Sequence, residues 1–389
     1  MAVAGSEELA LYVHWPFCLS KCPYCDFNSH VRERVNQERW RDGLLGELGF
    51  YAARLGPRRL TSIFFGGGTP SLMPAETVAA VIETACRLWQ AEADLEITLE
   101  ANPTSVEAGR FAGYRAGGVN RLSLGVQSLE PSALSFLGRQ HSADEARRAL
   151  DLALSIFERV TFDLIYARPE QSPEAWRREL GAALALGSEH LSLYQLTLEP
   201  GTQFHAAARR GELRLPEEEE QRALFDLTQE MTATAGLAAY EISNHAKPGA
   251  ASRHNLTYWR YGDYLGVGPG AHSRLSRGGE RWAQRQHRAP EIWLERVERD
   301  GNAEQERETL PLDRQVEEMT MMGLRLTEGL SRARVQQRLG AAPEELLPAR
   351  RLDALTREGL LELDKEGLRA SAEGRVRLNA LLAYLFAES

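Results

Sequence analysis

Hydrophobic and polar positions follow two rhythms along the first two thirds of the chain. Short β-branched and aromatic runs, LALYVHW, SIFFGG, EITLEAN, RLSLGVQS, VTFDLIYA, HLSLYQLT and AAYEISN, predict strands. Between them, segments such as AETVAAVIETACRLWQ and SADEARRALDLALSIF place apolar residues three and four apart, the spacing of an amphipathic helix. Repeated β-then-α units imply a parallel sheet with helical crossovers. Six or seven in series predict an α/β fold built on a closed or partial parallel (β/α) barrel, with a doubly wound open sheet as the alternative. Polar positions favour the barrel: Cys18 follows the first strand, Gly66 to Thr69 the second, Glu100 ends the third and Gln127 the fourth. Active sites of α/β barrels are built at that edge.

From about residue 300 the pattern turns helical, with one hairpin expected in LLELDKEGLRAS, turning at Lys365 to Gly367. The expected organisation is therefore a barrel domain over residues 1–295, with a segment of interest near 245–273, and a mostly helical, winged-helix-like domain over 296–389. Residues 301–389 carry 13 basic against 16 acidic side chains, so a packing or docking role is preferred to DNA binding. PEEEEQ, residues 216 to 221, reads as the acidic first turn of a helix.

Charge changes the picture mainly by exclusion. The 389 residues hold 46 Lys plus Arg against 55 Asp plus Glu, a net charge of −9, which gives no reason to expect nucleic acid. No stretch approaches the ~18 apolar residues of a membrane span. The opening MAVAGSEELALYV has Glu7 and Glu8 where a secretory peptide would have lysines. The protein is expected to be soluble and cytoplasmic, without a transmembrane segment.

Four cysteines are too few for a disulfide scaffold, yet Cys18, Cys22 and Cys25 fall within eight positions. In HWPFCLSKCPYCDFNSH the spacing is C-x3-C-x2-C. Three thiolates on one loop can each bind a corner of an iron–sulfur cube and leave the fourth iron open. Structural zinc is the alternative, with His14, His30 or Asp26 as a fourth ligand, although only one C-x2-C knuckle is present. Cys86, at a core position of a helical pattern, is expected to be an inert thiol.

FFGGGTP, residues 64 to 70, follows an apolar strand, and its glycines open the backbone to a ligand ammonium. Glu100 closes EITLEANP and Asp163 interrupts VTFDLIYA. A carboxylate in such a strand is costly unless paired, so a partner is expected, either an arginine or a ligand hydroxyl. For Asp163 a structural hydrogen bond and a ligand contact are equally open.

The cysteine spacing, with Tyr24 before the last cysteine, resembles the signature of the radical S-adenosylmethionine superfamily. That resemblance implies a 4Fe-4S cluster on Cys18, Cys22 and Cys25, whose open iron is chelated by S-adenosylmethionine. LGVQS and LGRQH bring in Gln127 and Arg139, and matching runs over most of residues 9 to 275 are similar to the HemN-like branch. Carried over residue by residue, the resemblance assigns Tyr12, Gly67, Gly68, Thr69, Glu100, Gln127, Arg139 and Asp163 to S-adenosylmethionine.

Proteins of this branch include the oxygen-independent coproporphyrinogen III oxidase and HemW-like proteins, regarded as haem chaperones. The oxidase pattern has a fourth cysteine two positions after the third, where this chain has Phe27, and a longer segment ahead of the cluster than the 17 residues before Cys18 here. HNLTYW, residues 254 to 259, matches the H-N-x-x-Y-W motif of HemW-like proteins, in which the histidine is implicated in binding haem. The resemblance thus implies a haem chaperone, with His254 as haem ligand and the radical enzyme as alternative. Side-chain chemistry alone leaves His254 as a hydrogen-bonded histidine and Tyr258 and Trp259 as core aromatics. His245 and His272 are alternative ligands, and Gly266 to Gly270 are expected near S-adenosylmethionine or porphyrin. Expected partners are haem and acceptor haemoproteins, respiratory and membrane-associated ones included, and a homodimer is one form open to the chain. A winged-helix regulator is the least favoured reading, given the acidic balance.

Overall fold

A computed structural model describes residues 7–387. The first six residues of the opening stretch, and residues 388–389, lie outside the described residues. One sheet of twelve strands organises the chain. In sequence order these are β1 (Glu8–Trp15), β2 (Arg59–Gly67), β3 (Gln90–Ala101), β4 (Arg121–Gln127), β5 (Arg159–Tyr166), β6 (His190–Gln195), β7 (Ala238–Ala239), β8 (Asn244–Ala246), β9 (Tyr264–Val267), β10 (His272–Arg277), β11 (Glu280–Gln286) and β12 (Glu304–Thr309). In space they lie in the order β12-β11-β10-β9-β1-β2-β3-β4-β5-β6-β8-β7. The seven neighbours from β9 to β6 are parallel. The outer strands on both flanks are antiparallel. The sheet keeps two edges, so the barrel is partial.

Six of the seven expected strand runs form the parallel sheet. AAYEISN does not join it as a single strand. It splits into β7 and the start of β8, which fold back antiparallel beside β6, because Glu241 turns inward to hold Asn244 Nδ2 and the backbone N–H of Ser243. The seventh parallel strand is β9, in the glycine-rich stretch beyond the HNLTYW motif.

The principal helices of this part are α1 (Gln37–Leu55), α2 (Ala75–Leu88), α3 (Ala143–Ile156), α4 (Pro173–Leu184), α5 (Glu218–Thr234), α6 (Arg253–Trp259) and α7 (Pro290–Asp300). Side-chain caps fix several starts: Asn36 caps α1, Ser142 and Glu145 form a capping box at α3, and Ser172 caps α4. The acidic turn expected at PEEEEQ opens α5. Alternation along the strands sorts side chains to two faces. Leu9, Leu11, Val13 and Trp15 of β1, Ile97 and Leu99 of β3, and Phe162 and Leu164 of β5 pack with the helices in one core. Each such side chain contributes about 1.5–3 kcal/mol on burial. The intervening positions, among them Tyr12, His14, Glu100, Ser123, Asp163 and Tyr194, face the opposite side. Cys86 on α2 is half-buried at the margin of the core rather than within it.

The C-terminal part adds α8 (Leu312–Gly323), α9 (Arg332–Leu339), α10 (Ala349–Arg357) and a small sheet of β13 (Leu330–Ser331), β14 (Leu361–Leu363) and β15 (Gly367–Ala370). β14 and β15 form the expected hairpin, with Asp364 Oδ1 accepting from the backbone of Glu366 and Gly367. The 295/296 border falls inside α7, whose Trp293, Leu294 and Val297 belong to the barrel core. The second core is built from Val316 onward and takes in Tyr261, so the change of core comes after β12. Asp263, at the foot of β9, joins the two parts. It pairs with Arg281 and Arg58 of the barrel and with Arg338 of α9.

Candidate functional site

Beyond β1 the chain leaves the sheet and forms the cysteine loop. Phe17–Cys18 pairs in parallel with His30–Val31, which closes the loop on itself. The second strand pins it: Gly68 N–H donates to Trp15 O at 2.7 Å and Thr69 N–H to Phe17 O at 2.8 Å. The glycines of FFGGGTP serve this contact as much as any ligand. A Cβ at Gly68 would stand 2.7 Å from Phe17 O and 3.0 Å from Cys18 Sγ, and one at Gly67, where φ is +116°, would strike His14.

The loop is held from the other side by Asn28, whose Nδ2 donates to Pro269 O and Arg288 O at 2.9 and 3.0 Å. Burial lowers the His14 pKa to about 4, so the ring is neutral. Its Nε2–H donates to Asn28 O at 2.9 Å, which leaves Nδ1 to accept from Tyr12 O–H at 3.1 Å. Behind Pro269, the N–H of Gly268 donates to Glu47 at 2.8 Å, as does Trp293 Nε1 at 3.2 Å. Burial raises this carboxyl to about 8. Gly266 to Gly270 therefore buttress the cysteine loop, and none of them lines the hollow it faces.

That hollow has a volume of about 240 Å³ and lies at the C-terminal ends of the parallel strands. Ten of the twelve residues that the resemblance assigns to cluster, S-adenosylmethionine or haem line it: Cys18, Cys22, Cys25, Gly67, Gly68, Thr69, Glu100, Gln127, Arg139 and Asp163. Contributions from β2 to β6 meet there, which requires the sheet to curve around it. Gln127 follows a register shift in β4 and has φ of +69°, a strained value for a non-glycine residue.

Glu100 and Asp163 have raised pKa values, about 8 and about 7. For Glu100 the causes are burial and then the charge of Asp163; for Asp163, burial outweighs the Ser192 hydrogen bond and the nearby Arg139. No ion pair to either carboxylate exists among the described residues; Glu100 accepts from the backbone of Gly67 and Asp163 from Ser192, so a structural hydrogen bond and a ligand contact both remain open to these acids. Tyr194 keeps 41% of its surface accessible, yet burial drives its phenol pKa upward. A side chain facing an internal hollow has that combination.

Sequence reasoning missed Tyr194, Ser123, His141 and Asn102, all of which line the hollow. Ser123 and Tyr194 sit on the inward-facing register of β4 and β6, and that two-residue period was the available signal. Asn102 follows the last residue of β3.

Tyr12 and His254 do not line the hollow. Tyr12 faces the sheet interior, stacked on Phe64 with ring centroids 6.2 Å apart. His254 lies in the first turn of α6, 1% exposed. Its Nδ1 meets Ser62 Oγ at 2.9 Å, its Nε2 meets the Tyr258 hydroxyl, and its backbone N–H donates to Glu96 Oε1 at 3.1 Å. Burial lowers its pKa to about 3. Both ring nitrogens are taken, so in this conformation the expected haem ligand has no free lone pair. Trp259 lies beneath Arg325, a contact with the C-terminal part. Of the alternative ligands, His245 is fully buried with Nε2 beside Gln229, whereas His272 is exposed on β10.

Three thiols on one loop suit an iron–sulfur cube, while among the described residues no fourth His, Cys, Asp or Glu joins them to hold a single ion. A cube instead takes each sulfur at a separate corner. Thr69 Oγ1 donates to Cys18 Sγ at 3.4 Å and Arg139 Nη1 to Cys22 Sγ at 3.3 Å, and such donors stabilise thiolate charge. The two acids, which have no ion pair, and Arg139 Nε, which has no hydrogen-bond partner among the described residues, suit a polar ligand beside the thiols.

Residues 12–180 match the family model of the radical SAM superfamily, and residues 310–377 that of the HemN C-terminal domain. The chain is 36% identical to the protein named heme chaperone HemW of Escherichia coli, over 98% of each chain. It is 41% identical to radical S-adenosyl methionine domain-containing protein 1, mitochondrial, of Bos taurus, over 98% of this chain and 88% of the relative. Among solved structures, the coproporphyrinogen III oxidase HemN of Escherichia coli aligns over 98% of this chain and 91% of its own, with a TM-score of 0.81. At 22% identity that likeness speaks for the fold alone. The chain belongs to the radical SAM superfamily, in its HemN-like branch and among the HemW-like proteins.

Proposed function

We propose that the protein carries a 4Fe-4S cluster on Cys18, Cys22 and Cys25, holds S-adenosylmethionine in the adjoining hollow, and binds haem for delivery to acceptor haemoproteins. The observation that carries this reading is the convergence of three thiols and seven further residues on one hollow at the strand ends. Support for haem comes from the relatives named heme chaperones, 35–36% identical over nearly their whole length.

S-adenosylmethionine, when bound, supplies the amino and carboxylate groups that complete the open iron. Gly67, Gly68 and Thr69 offer backbone close to the cluster loop. Glu100 and Asp163 accept hydrogen bonds from ligand hydroxyls or an ammonium, and each such bond returns the carboxyl toward its ionised form. Arg139 and Gln127 add further polar groups to the same lining. Tyr12 acts through His14, which it orients, rather than from the hollow itself. His254 enters as a haem ligand only after Tyr258 releases Nε2.

The reading takes the protein as cytoplasmic, with a homodimer as one form in solution. It meets membrane-associated acceptors without an anchor among the described residues, none of whose helices is long and apolar enough to cross a membrane.

The test is paired. Anaerobically reconstituted protein is titrated with haem, and separately given coproporphyrinogen III, S-adenosylmethionine and a reductant. Tight haem binding without decarboxylated product is the expected result, and robust decarboxylation would transfer the protein to the oxidase reading.

A further inference from the structure

Asn102 stands one residue beyond β3, and its side-chain amide is the meeting point of contacts from two of the three thiols. Its Nδ2 donates to Thr69 Oγ1 at 3.4 Å, and that hydroxyl donates to Cys18 Sγ at 3.4 Å. Its Oδ1 accepts from Arg139 Nη2 at 2.6 Å, while Nη1 of the same guanidinium donates to Cys22 Sγ at 3.3 Å. Arginine can only donate, so the amide oxygen must face Arg139 and the amide nitrogen Thr69.

The amide is anchored from behind. Asn102 N–H donates to Glu107 Oε2 at 2.9 Å, Nδ2 also reaches Glu107 Oε1 at 3.4 Å, and Glu107 is 2% exposed and held by the Ser71 hydroxyl. Cys25 is held apart from Asn102, by the backbone N–H of Phe27 and by Ser29 Oγ at 3.9 Å.

We propose that Asn102 is a positioning residue for the cluster: through one amide it orients the donors on Cys18 and Cys22 and thereby sets the cluster's reduction potential. The inference rests on the 4Fe-4S reading and is independent of haem. Reduction adds negative charge to the cluster, and hydrogen bonds to its sulfurs stabilise that charge, so they raise the potential.

Asn102→Asp gives a signed test because its three consequences agree. The Thr69 hydroxyl turns from Cys18 to the new carboxylate, the Arg139 charge is neutralised, and a negative charge is added beside two sulfurs. Each lowers the potential. The measurement is an EPR-monitored redox titration of full-length, anaerobically reconstituted protein without S-adenosylmethionine or haem, with iron and sulfide counted per chain.

The expected result is a potential more negative than wild type for Asn102→Asp and for Thr69→Val, with the double variant shifted by less than the sum of the two. A wild-type potential at full iron content in Asn102→Asp overturns the proposal, as do shifts that add fully. If Asp at this position prevents reconstitution, Asn102→Ala, which takes from Arg139 Nη2 one of its two acceptors and leaves Gly125 O at 2.8 Å, is held to the same sign. Failure of the wild-type protein to take up any cluster sinks the 4Fe-4S reading instead.

Discussion

The imidazole of His254 lies nearly flat on the ring of Phe64, with centroids 4.9 Å apart and planes 23° from parallel. Ser62 and Tyr258 close its two nitrogens, and Glu96 fastens the first turn of α6 through the N–H of His254 and the hydroxyl of Ser252. A histidine held this way is a structural member of the barrel until something displaces Tyr258. Removing that hydroxyl should therefore expose ligation. In Tyr258→Phe we expect tighter haem binding and a stronger histidine-ligated Soret signature, lost again in Tyr258→Phe/His254→Ala. His254→Ala alone should cost about 2–4 kcal/mol of stability, from the void and the orphaned Ser62 and Tyr258. Identical haem spectra across all four proteins would remove His254 from the ligand role.

The cysteine loop makes a sharper prediction. Cys18→Ser, Cys22→Ser and Cys25→Ser should each lose most of the broad iron–sulfur absorption after anaerobic reconstitution, whereas Cys86→Ser, remote from the hollow, should keep it. Metal analysis of anaerobically purified wild type decides between cluster and ion. One firmly held zinc per chain with no sulfide would end the cluster reading.

How much of this site could be read from the sequence depends on the kind of signal each residue leaves. Cysteine spacing and carboxylates inside apolar strands are violations of local expectation, and Cys18, Glu100 and Asp163 all reached the hollow. Tyr194 leaves no such mark, since an aromatic residue in HLSLYQ reads as core until the partial barrel supplies an inner face. Asn102 and Thr69 matter through partners far apart in sequence, which periodicity does not record. The AAYEISN run read as a strand because its composition is strand-like, and the inward turn of Glu241 broke it. Side-chain chemistry read His254 as a hydrogen-bonded histidine, and the short helix capped by Ser252 sets its ring against Ser62 and Tyr258.

Close backbone approach at FFGGGTP yields a third test. Gly68→Ala places a methyl group 2.7 Å from the backbone oxygen of Phe17, closer than real Cβ atoms come, and 3.0 Å from Cys18 Sγ, a tight contact. The cysteine loop must shift. We expect sharply reduced cluster loading with little loss of secondary structure by circular dichroism, because the core packs on the outer face of the strands. Gly49→Ala, on α1 with nothing within 4 Å of the new methyl, is the control and should load normally. Equal iron and sulfide contents in the two variants would refute the close-approach argument.

Glu47 carries the last prediction, a pH dependence. Its folded pKa is raised by burial to about 8, from an ordinary 4.5. Below pH 4.5 both folded and unfolded states hold the proton. As the pH rises from there, the unfolded chain releases it and the folded chain does not, so stability falls until about pH 8 and then levels. Glu47→Gln keeps an acceptor for Gly268 N–H and Trp293 Nε1 and has no proton to lose. The variant should match wild type near pH 4.5 and gain steadily above it, reaching a plateau on the order of a few kcal/mol beyond pH 8. The buried His14 has the opposite slope, since its lowered pKa costs stability as the pH falls from 6.5 toward 4, but that term is common to both proteins and cancels in the difference. Urea midpoints of the two proteins at pH 5, 7 and 9 read the effect directly. Parallel curves would mean that Glu47 releases its proton over the same range in the folded and unfolded states, and the buttress behind Gly268 would then be an ionised carboxylate.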